Sequence, residues 1–174
     1  MKVLIIYATK GGASKEAAEM LAQRIGNKAD ISLFNVTDTP PSPEGFDVAV
    51  IGGSIRMGRL NKSLKKYIRN NLQALSSMPC AAFLCCGISK DFDDYVTMQI
   101  PKALVCSLGI HHFGGELKPH KLKGIDKIIV RIMRESIATQ DPDISDSDRQ
   151  ELPELLPDTI YALAERICRL KQFV

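Results

Sequence analysis

The segment VLIIYATKGGASKEAAEML, residues 3–21, joins an apolar run to a helical pattern through two adjacent glycines. The apolar run is too short to cross a membrane or to form the apolar part of a signal peptide, so it predicts a buried strand. After the glycines, Ala17, Leu21 and Ile25 recur at helical spacing and predict an amphipathic helix. A buried strand, a tight turn and a covering helix make up the first unit of a parallel α/β sheet.

The rest of the chain repeats this alternation. Helical patterns cover residues 60–75, residues 91–109 with Pro101 inside them, and the segment that follows Pro157. Further apolar runs occupy residues 31–36, 48–51, 81–86 and 110–117. The pattern predicts an α/β fold with five parallel strands and helices on both faces, in a single domain over residues 1–174.

Composition excludes several classes of function. The chain has 45% hydrophobic and 25% charged residues, as soluble globular proteins do. A net charge of +3 and 6% aromatic residues without tryptophan give no support for nucleic-acid binding. The five cysteines form no C-x-x-C pair and no zinc spacing, so we expect reduced thiols, no metal site and a cytoplasmic location.

The loop after the first strand contains the residue types that bind anions. Ligands of open parallel sheets lie at the carboxyl ends of the strands, where the strand order reverses. Glycines allow a close backbone approach there, and the first amides of the following helix attract negative charge. The loop reads Thr9, Lys10, Gly11, Gly12, Ala13 and Ser14. Taken alone, it is equally compatible with a phosphate turn and with a tight corner in which Ser14 caps the helix.

Two further loops follow the third and fourth strands. The segment GGSIRMG covers residues 52–58, and CCGISKDF covers residues 85–92. Both loops contain glycine and a hydroxyl group, and both are expected at the same edge of the sheet as the first loop. Three such loops suit a planar ligand with a phosphate tail.

These loops, in this order, resemble the flavodoxin family. The resemblance implies a flavodoxin-like three-layer α/β/α sandwich with strand order 2-1-3-4-5, and non-covalent FMN between strands one and three. It implies a redox protein that transfers electrons through this flavin. The phosphate loop would be Thr9, Lys10, Gly11, Gly12, Ala13 and Ser14, with Ser54 as a further phosphate ligand. The flavin ring would lie beside Ile55, Arg56, Met57 and Gly58, and beside Cys86, Gly87 and Phe92.

Two segments are similar to one subgroup, the menaquinone-dependent protoporphyrinogen oxidases. They are VIGGSIRMGR, residues 50–59, and IDKIIVRIMRES, residues 125–136. The similarity implies a porphyrin or quinone as the reaction partner, and it identifies no catalytic side chain. A flavin-free interaction domain of the same fold is the alternative, as is an NAD(P)H-dependent quinone reductase.

Charge bears on the choice of partner. Small electron shuttles are strongly acidic around the exposed flavin edge, whereas Arg56, Arg59 and Lys62 lie in or beside the second loop here. This favours an anionic substrate over an acidic shuttle that docks on a redox partner protein.

The segment from Ile125 to Arg134 forms a basic, apolar helical pattern. Core packing of this helix is favoured, and peripheral contact with an anionic membrane is the alternative. The histidines at 111, 112 and 120 are expected in loops or at the surface.

Overall fold

The computed structural model describes residues 1–87, 89–115 and 155–170. Its centre is a five-stranded sheet in the order β2-β1-β3-β4-β5, and every neighbouring pair is parallel. The strands are β1 (Lys2–Ala8), β2 (Asp30–Asn35), β3 (Val48–Ser54), β4 (Cys80–Cys85) and β5 (Ile110–His112). The predicted fold class and the predicted strand order are both confirmed.

Helices cover both faces of the sheet. They are α1 (Ala13–Ile25), α2 (Lys62–Asn70), α3 (Leu72–Ser76), α4 (Phe92–Gln99) and α5 (Pro157–Leu170). Alternate residues of β1 enter opposite cores, because successive side chains of a strand point to opposite faces. Ile5 packs in the core under α1 and α5, and Ile6 packs in the core under α2 and α3. Both side chains are fully buried, which explains the continuous apolar run in the sequence.

Two predicted helices are shorter than their patterns suggested. The pattern over residues 60–75 is divided at Asn71, whose side-chain amide donates a 2.9 Å hydrogen bond to the Tyr67 carbonyl. The helix predicted over residues 91–109 ends at Gln99, so its second half is wrong. Ile100 has an extended backbone because the residue before a proline avoids the helical region.

Two other predictions concern residues at or beyond the limits of the described part of the chain. The fifth strand comprises three residues, Ile110–His112, and Gly114 forms an isolated bridge with Leu155. Residues 116–154 lie outside the described residues, and so does the predicted helix at 125–134. The single domain over residues 1–174 therefore stays a prediction.

Gly52 provides a test of packing at the centre of the sheet. A Cβ atom at this position would overlap the ring of Phe83, which stacks on Phe113 with ring centroids 4.7 Å apart. We therefore expect Gly52→Ala to lower the free energy of unfolding by roughly 1–3 kcal/mol, measured by urea denaturation. Phe83→Leu removes the clashing ring, so the double variant should lose less than the sum of the single losses. Additive losses would show that the ring is not the cause.

Tyr67 provides a test at alkaline pH. Burial raises the pKa of Tyr67 to about 12, and its hydroxyl donates a 2.8 Å hydrogen bond to the Pro41 carbonyl. The unfolded chain loses this proton near pH 10, so the stability contributed by Tyr67 is complete below about pH 10 and is lost as pH rises to about 12. A difference of this size corresponds to at most about 3 kcal/mol.

Urea denaturation between pH 9 and pH 12 would measure this loss. We expect Tyr67→Phe to have a flatter stability profile than the wild type. Tyr161, which is 36% exposed on α5, provides the matched control, and Tyr161→Phe should keep the wild-type slope. If Tyr67→Phe lost stability with pH as steeply as the wild type, Tyr67 would not be the cause of the alkaline loss.

Candidate functional site

The carboxyl ends of β1 and β3 border a cavity of about 770 Å³. The loop after β1, the loop after β3 and the start of α2 form its walls. Five of the predicted site residues line it, namely Thr9, Lys10, Ser54, Arg56 and Met57. The structure thus brings residues from two of the three predicted loops together at the point where the strand order reverses.

The loop after β1 is shaped by Gly12, which has a φ of 100° and precedes α1. The Gly12 N–H donates a 2.9 Å hydrogen bond to the Thr9 hydroxyl oxygen, and the Gly12 carbonyl accepts one from the Glu16 N–H. The amides of residues 13–15 precede the first hydrogen bond within the helix and have no acceptor there. Gly11, Gly12 and Thr9 are all partly accessible. This arrangement suits an anion at the helix N-terminus.

Ser14 connects the first loop to the second. It lies within the first turn of α1, is fully buried, and shares a 2.5 Å hydrogen bond with the Ser54 hydroxyl. Gly12 occupies the N-cap position, so the expectation of Ser14 as a helix cap is wrong. Ala13 beside it is also buried. The hydroxyl pair holds α1 against the end of β3.

Cys85 lies beneath this hydroxyl pair. Burial raises the pKa of the Cys85 thiol to about 12, and the nearby Ser14 hydroxyl opposes that rise only in part. The thiol is therefore protonated at neutral pH and is not a nucleophile. Cys86, next along the chain, is buried, and its N–H donates a 2.9 Å hydrogen bond to the Gly114 carbonyl.

The loop after β3 is a tight hairpin formed by residues 56–59. Arg56 and Arg59 exchange two backbone hydrogen bonds of 3.0 Å, and the two residues between them both have positive φ, 50° at Met57 and 69° at Gly58. Glycine suits this geometry, whereas methionine rarely adopts it. Met57 is 68% exposed at the tip of the hairpin and lines the cavity. Ile55 donates its N–H to the Cys85 carbonyl at 2.8 Å, which ties the hairpin to β4.

The loop after β4 borders a different part of the edge. Cys86 is buried, whereas Gly87 and Phe92 are half-buried, and the Phe92 ring lies 5.2 Å from the ring of His112. None of the described residues that line the cavity comes from this loop. The cavity is therefore lined by predicted site residues of the first two loops, and not by Cys86, Gly87 or Phe92.

Sequence reasoning missed Asn61 and Ser63 at the start of α2. Asn61 caps this helix, because its side-chain oxygen accepts hydrogen bonds from the Ser63 and Leu64 amides at 2.8 and 3.3 Å. The signal was an asparagine placed just before an apolar helical stripe. Asn61, Lys62 and Ser63 all line the cavity.

The prediction that the histidines at 111 and 112 lie in loops or at the surface is wrong. Both lie in β5 and are half-buried. The His112 Nε2 lies 3.1 Å from the Cys86 carbonyl oxygen, which can only accept, so this nitrogen carries the proton and donates. His112 thereby supports the third predicted loop from below. His120 lies outside the described residues.

The cavity is strongly cationic. Lys10, Arg56, Arg59 and Lys62 line it, and no carboxylate is present among the described lining residues. Over the part of the chain that the structure describes, no group of three metal-ligating side chains occurs. No helix in the same ranges is both long enough and apolar enough to cross a bilayer.

Comparison with known proteins identifies the class. The model of the flavodoxin domain family matches residues 4–145, so the chain belongs to that family. Protoporphyrinogen IX dehydrogenase [quinone] of Escherichia coli K12 is 33% identical over 86 residues, which cover 48% of this chain and 47% of that protein. The chain therefore matches only about half the length of this relative.

Solved structures agree on the fold. A flavodoxin of Streptococcus pneumonia TIGR4 superposes with a TM-score of 0.54 at 12% identity, over 98% of this chain and 99% of that one. A short-chain flavodoxin associated with a non-canonical PDU bacterial microcompartment also reaches 0.54 at 12% identity, over 98% of both chains. At such identities the likeness concerns the fold alone. With the family match, the protein is an FMN-binding, flavodoxin-like redox protein, and the resemblance seen in the sequence is confirmed.

The donor set around the cavity fits this cofactor. The Thr9 and Ser54 hydroxyls and the Lys10 ammonium group line the cavity and suit a phosphate, as does the N-terminus of the helix that follows this loop, and the cavity has room for a small organic ligand. When bound, FMN supplies the capacity to accept and release electrons. The residues that would hold and orient it are those of the loops after β1 and β3.

Thr9→Val tests the phosphate loop. This change removes the hydroxyl that accepts from the Gly12 N–H and can donate to a phosphate. We expect the Kd for FMN to rise about tenfold, because a hydrogen bond to a charged group is lost. The Kd for riboflavin, which has no phosphate, should not change, and both values can be measured by flavin fluorescence.

The matched control is Thr97→Val. Thr97 is exposed on α4, and its hydroxyl donates to the Asp93 carbonyl at 3.0 Å. This variant should bind both flavins as the wild type does. If Thr9→Val weakened both flavins equally, the loop would not be a phosphate site.

Proposed function

We propose that this chain holds FMN between the three loops and uses it to oxidise an anionic, porphyrinogen-type substrate, with a quinone as the electron acceptor. The cationic lining of the cavity is the observation that carries the proposal. The phosphate would bind to Thr9, Lys10, Gly11 and Gly12 and to the backbone amides of Ala13 and Ser14, whose side chains are buried, with Ser54 beside them. The ring would lie along Ile55, Arg56, Met57 and Gly58, and reach Cys86, Gly87 and Phe92.

The charge of the lining supports an anionic substrate. FMN itself brings one phosphate, and the Thr9 loop already supplies amides for it at the start of α1. Arg59 and Lys62 lie farther along the chain, in the hairpin and at the start of α2, and line the same cavity. These two cations are therefore available to the carboxylates of a second ligand, such as the propionates of a porphyrinogen.

The hairpin tip supports a partner with an apolar surface. Met57 exposes 68% of its surface at the cavity wall. A polarizable thioether packs well against an aromatic or macrocyclic ring. An apolar contact flanked by cations matches a macrocycle that carries carboxylate groups at its edge.

The name of the curated relative supports the same reaction. That protein is a protoporphyrinogen IX dehydrogenase [quinone], and the shared part covers about half of each chain. By analogy, each pair of electrons and protons removed from the porphyrinogen would reduce one quinone molecule to its quinol. A redox partner protein is the alternative acceptor. Cytoplasmic location and peripheral membrane contact through residues 125–134 stay predictions beside this proposal.

Charge reversal tests the substrate class. We expect the FMN-loaded wild type to reduce a soluble menaquinone analogue with protoporphyrinogen, followed anaerobically by porphyrin fluorescence. Arg59→Glu combined with Lys62→Glu should lower kcat/KM for protoporphyrinogen at least about tenfold at low salt, because attraction turns into repulsion. The Kd for FMN and the KM for the neutral quinone should stay near the wild-type values.

A double variant with the same change in net charge provides the control. Lys66→Glu with Arg69→Glu alters exposed residues of α2 outside the cavity lining. It should keep kcat/KM within about twofold, since distant exposed charges are screened. Equal losses in the two double variants would contradict the cavity as the substrate site. No protoporphyrinogen oxidation by FMN-saturated wild type would contradict the proposed reaction.

A further inference from the structure

Gln99, the last residue of α4, holds the hairpin of residues 56–59 through both ends of its side-chain amide. Its Nε2 donates a 2.9 Å hydrogen bond to the Gly58 carbonyl. Its Oε1 accepts a 3.1 Å hydrogen bond from the Leu60 N–H. This one side-chain amide thus satisfies the carbonyl before Arg59 and the N–H after it.

The hairpin cannot satisfy these two groups itself. Its own pair of backbone hydrogen bonds uses the N–H and the carbonyl of Arg56 and Arg59. Leu60 is only 3% exposed, so its N–H needs a partner inside the protein. Glycine at position 58 rotates easily, so the orientation of its carbonyl depends on what binds it.

The position of α4 gives this contact a wider role. Phe92, the first residue of α4, belongs to the loop after β4, and Gln99 at the other end contacts the loop after β3. An eight-residue helix spans roughly 12 Å. A single short helix therefore connects the two loops that border the proposed flavin ring.

We propose that Gln99 is a positioning residue for the flavin. It fixes the Gly58 carbonyl and the hairpin backbone, and it sets their position relative to the loop that starts α4. This inference rests on the proposed placement of FMN beside the hairpin. Gln99 is not among the residues that line the cavity, so it acts through Gly58 and Leu60.

Gln99→Glu tests the proposal. A carboxylate still accepts from the Leu60 N–H, but it cannot donate to the Gly58 carbonyl and repels that oxygen. A protonated carboxyl group restores the donor. The Kd for FMN in this variant should be about tenfold above wild type at pH 8, a difference that corresponds to one lost hydrogen bond, and should fall toward wild type as the pH drops toward the ordinary Glu pKa of about 4.3. The flavin midpoint potential should depart from wild type over the same pH range.

Other ionisable groups near this contact are shared by all variants. Those on the two connected elements and just beyond them in sequence are Arg56 and Arg59 on the hairpin, Asp93, Asp94 and Tyr95 on α4, and Lys102 after it. At each pH, the Kd for FMN of the variant is therefore divided by the Kd of the wild type. Gln73→Glu, at an exposed glutamine of α3, is the matched control and should give a ratio near one at every pH.

Gln99→Leu removes both hydrogen bonds and should bind FMN weakly at every pH, with urea denaturation of the apo chain as a check on folding. If Gln99→Glu matched the wild type in Kd and potential from pH 5 to pH 8, the inference would be wrong. Lower apo stability with an unchanged FMN ratio would also overturn it, because the role would then be structural. Failure of the wild type itself to bind FMN would instead overturn the proposed FMN site and this inference with it. If the wild type bound FMN but did not oxidise protoporphyrinogen, the proposed function would be wrong. The Kd for FMN and the flavin potential would still test the role of Gln99.

Discussion

The reversal of strand order between β1 and β3 is the constraint on which the rest of the structure depends. The chain leaves β1 into α1 on one face of the sheet and leaves β3 toward α2 on the other face. The two exits diverge, so the carboxyl ends of these strands border a crevice that neither helix covers. The cavity and the partly exposed loop at the start of α1 both follow from that divergence. The fold thus provides a site before any particular side chain is considered.

Short hydrogen bonds then give the crevice a defined shape. Thr9 holds the first loop through Gly12, and the buried hydroxyl pair of Ser14 and Ser54 joins that loop to β3. Gln99 holds the hairpin that follows. Together these bonds close the first loop on itself and connect α1 to β3 and the hairpin to α4. Such support is what keeps a binding site formed by loops in one geometry.

Charge distinguishes this crevice from that of an acidic electron shuttle. The chain has a net charge of only +3, yet four cations line one cavity. Concentration of like charges at one edge is unfavourable in an isolated chain and becomes useful when an anion binds there. Our proposal of an anionic substrate follows from this concentration, and the flavodoxin fold alone would not have suggested it.

The sequence by itself determined the sheet, the family and the loops that border the crevice. Buried parallel strands appear as continuous apolar runs, and glycine pairs mark turns, so both signals are local and readable. The tertiary structure decided which side chains of those loops line the cavity and which are buried. Ser14 is buried against Ser54, and Met57 is exposed in a conformation rare for methionine. Gln99 meets Gly58 across 41 positions of sequence, and His112 meets Cys86 across 26. Such contacts depend on how helices and strands pack together, and no local pattern records that packing.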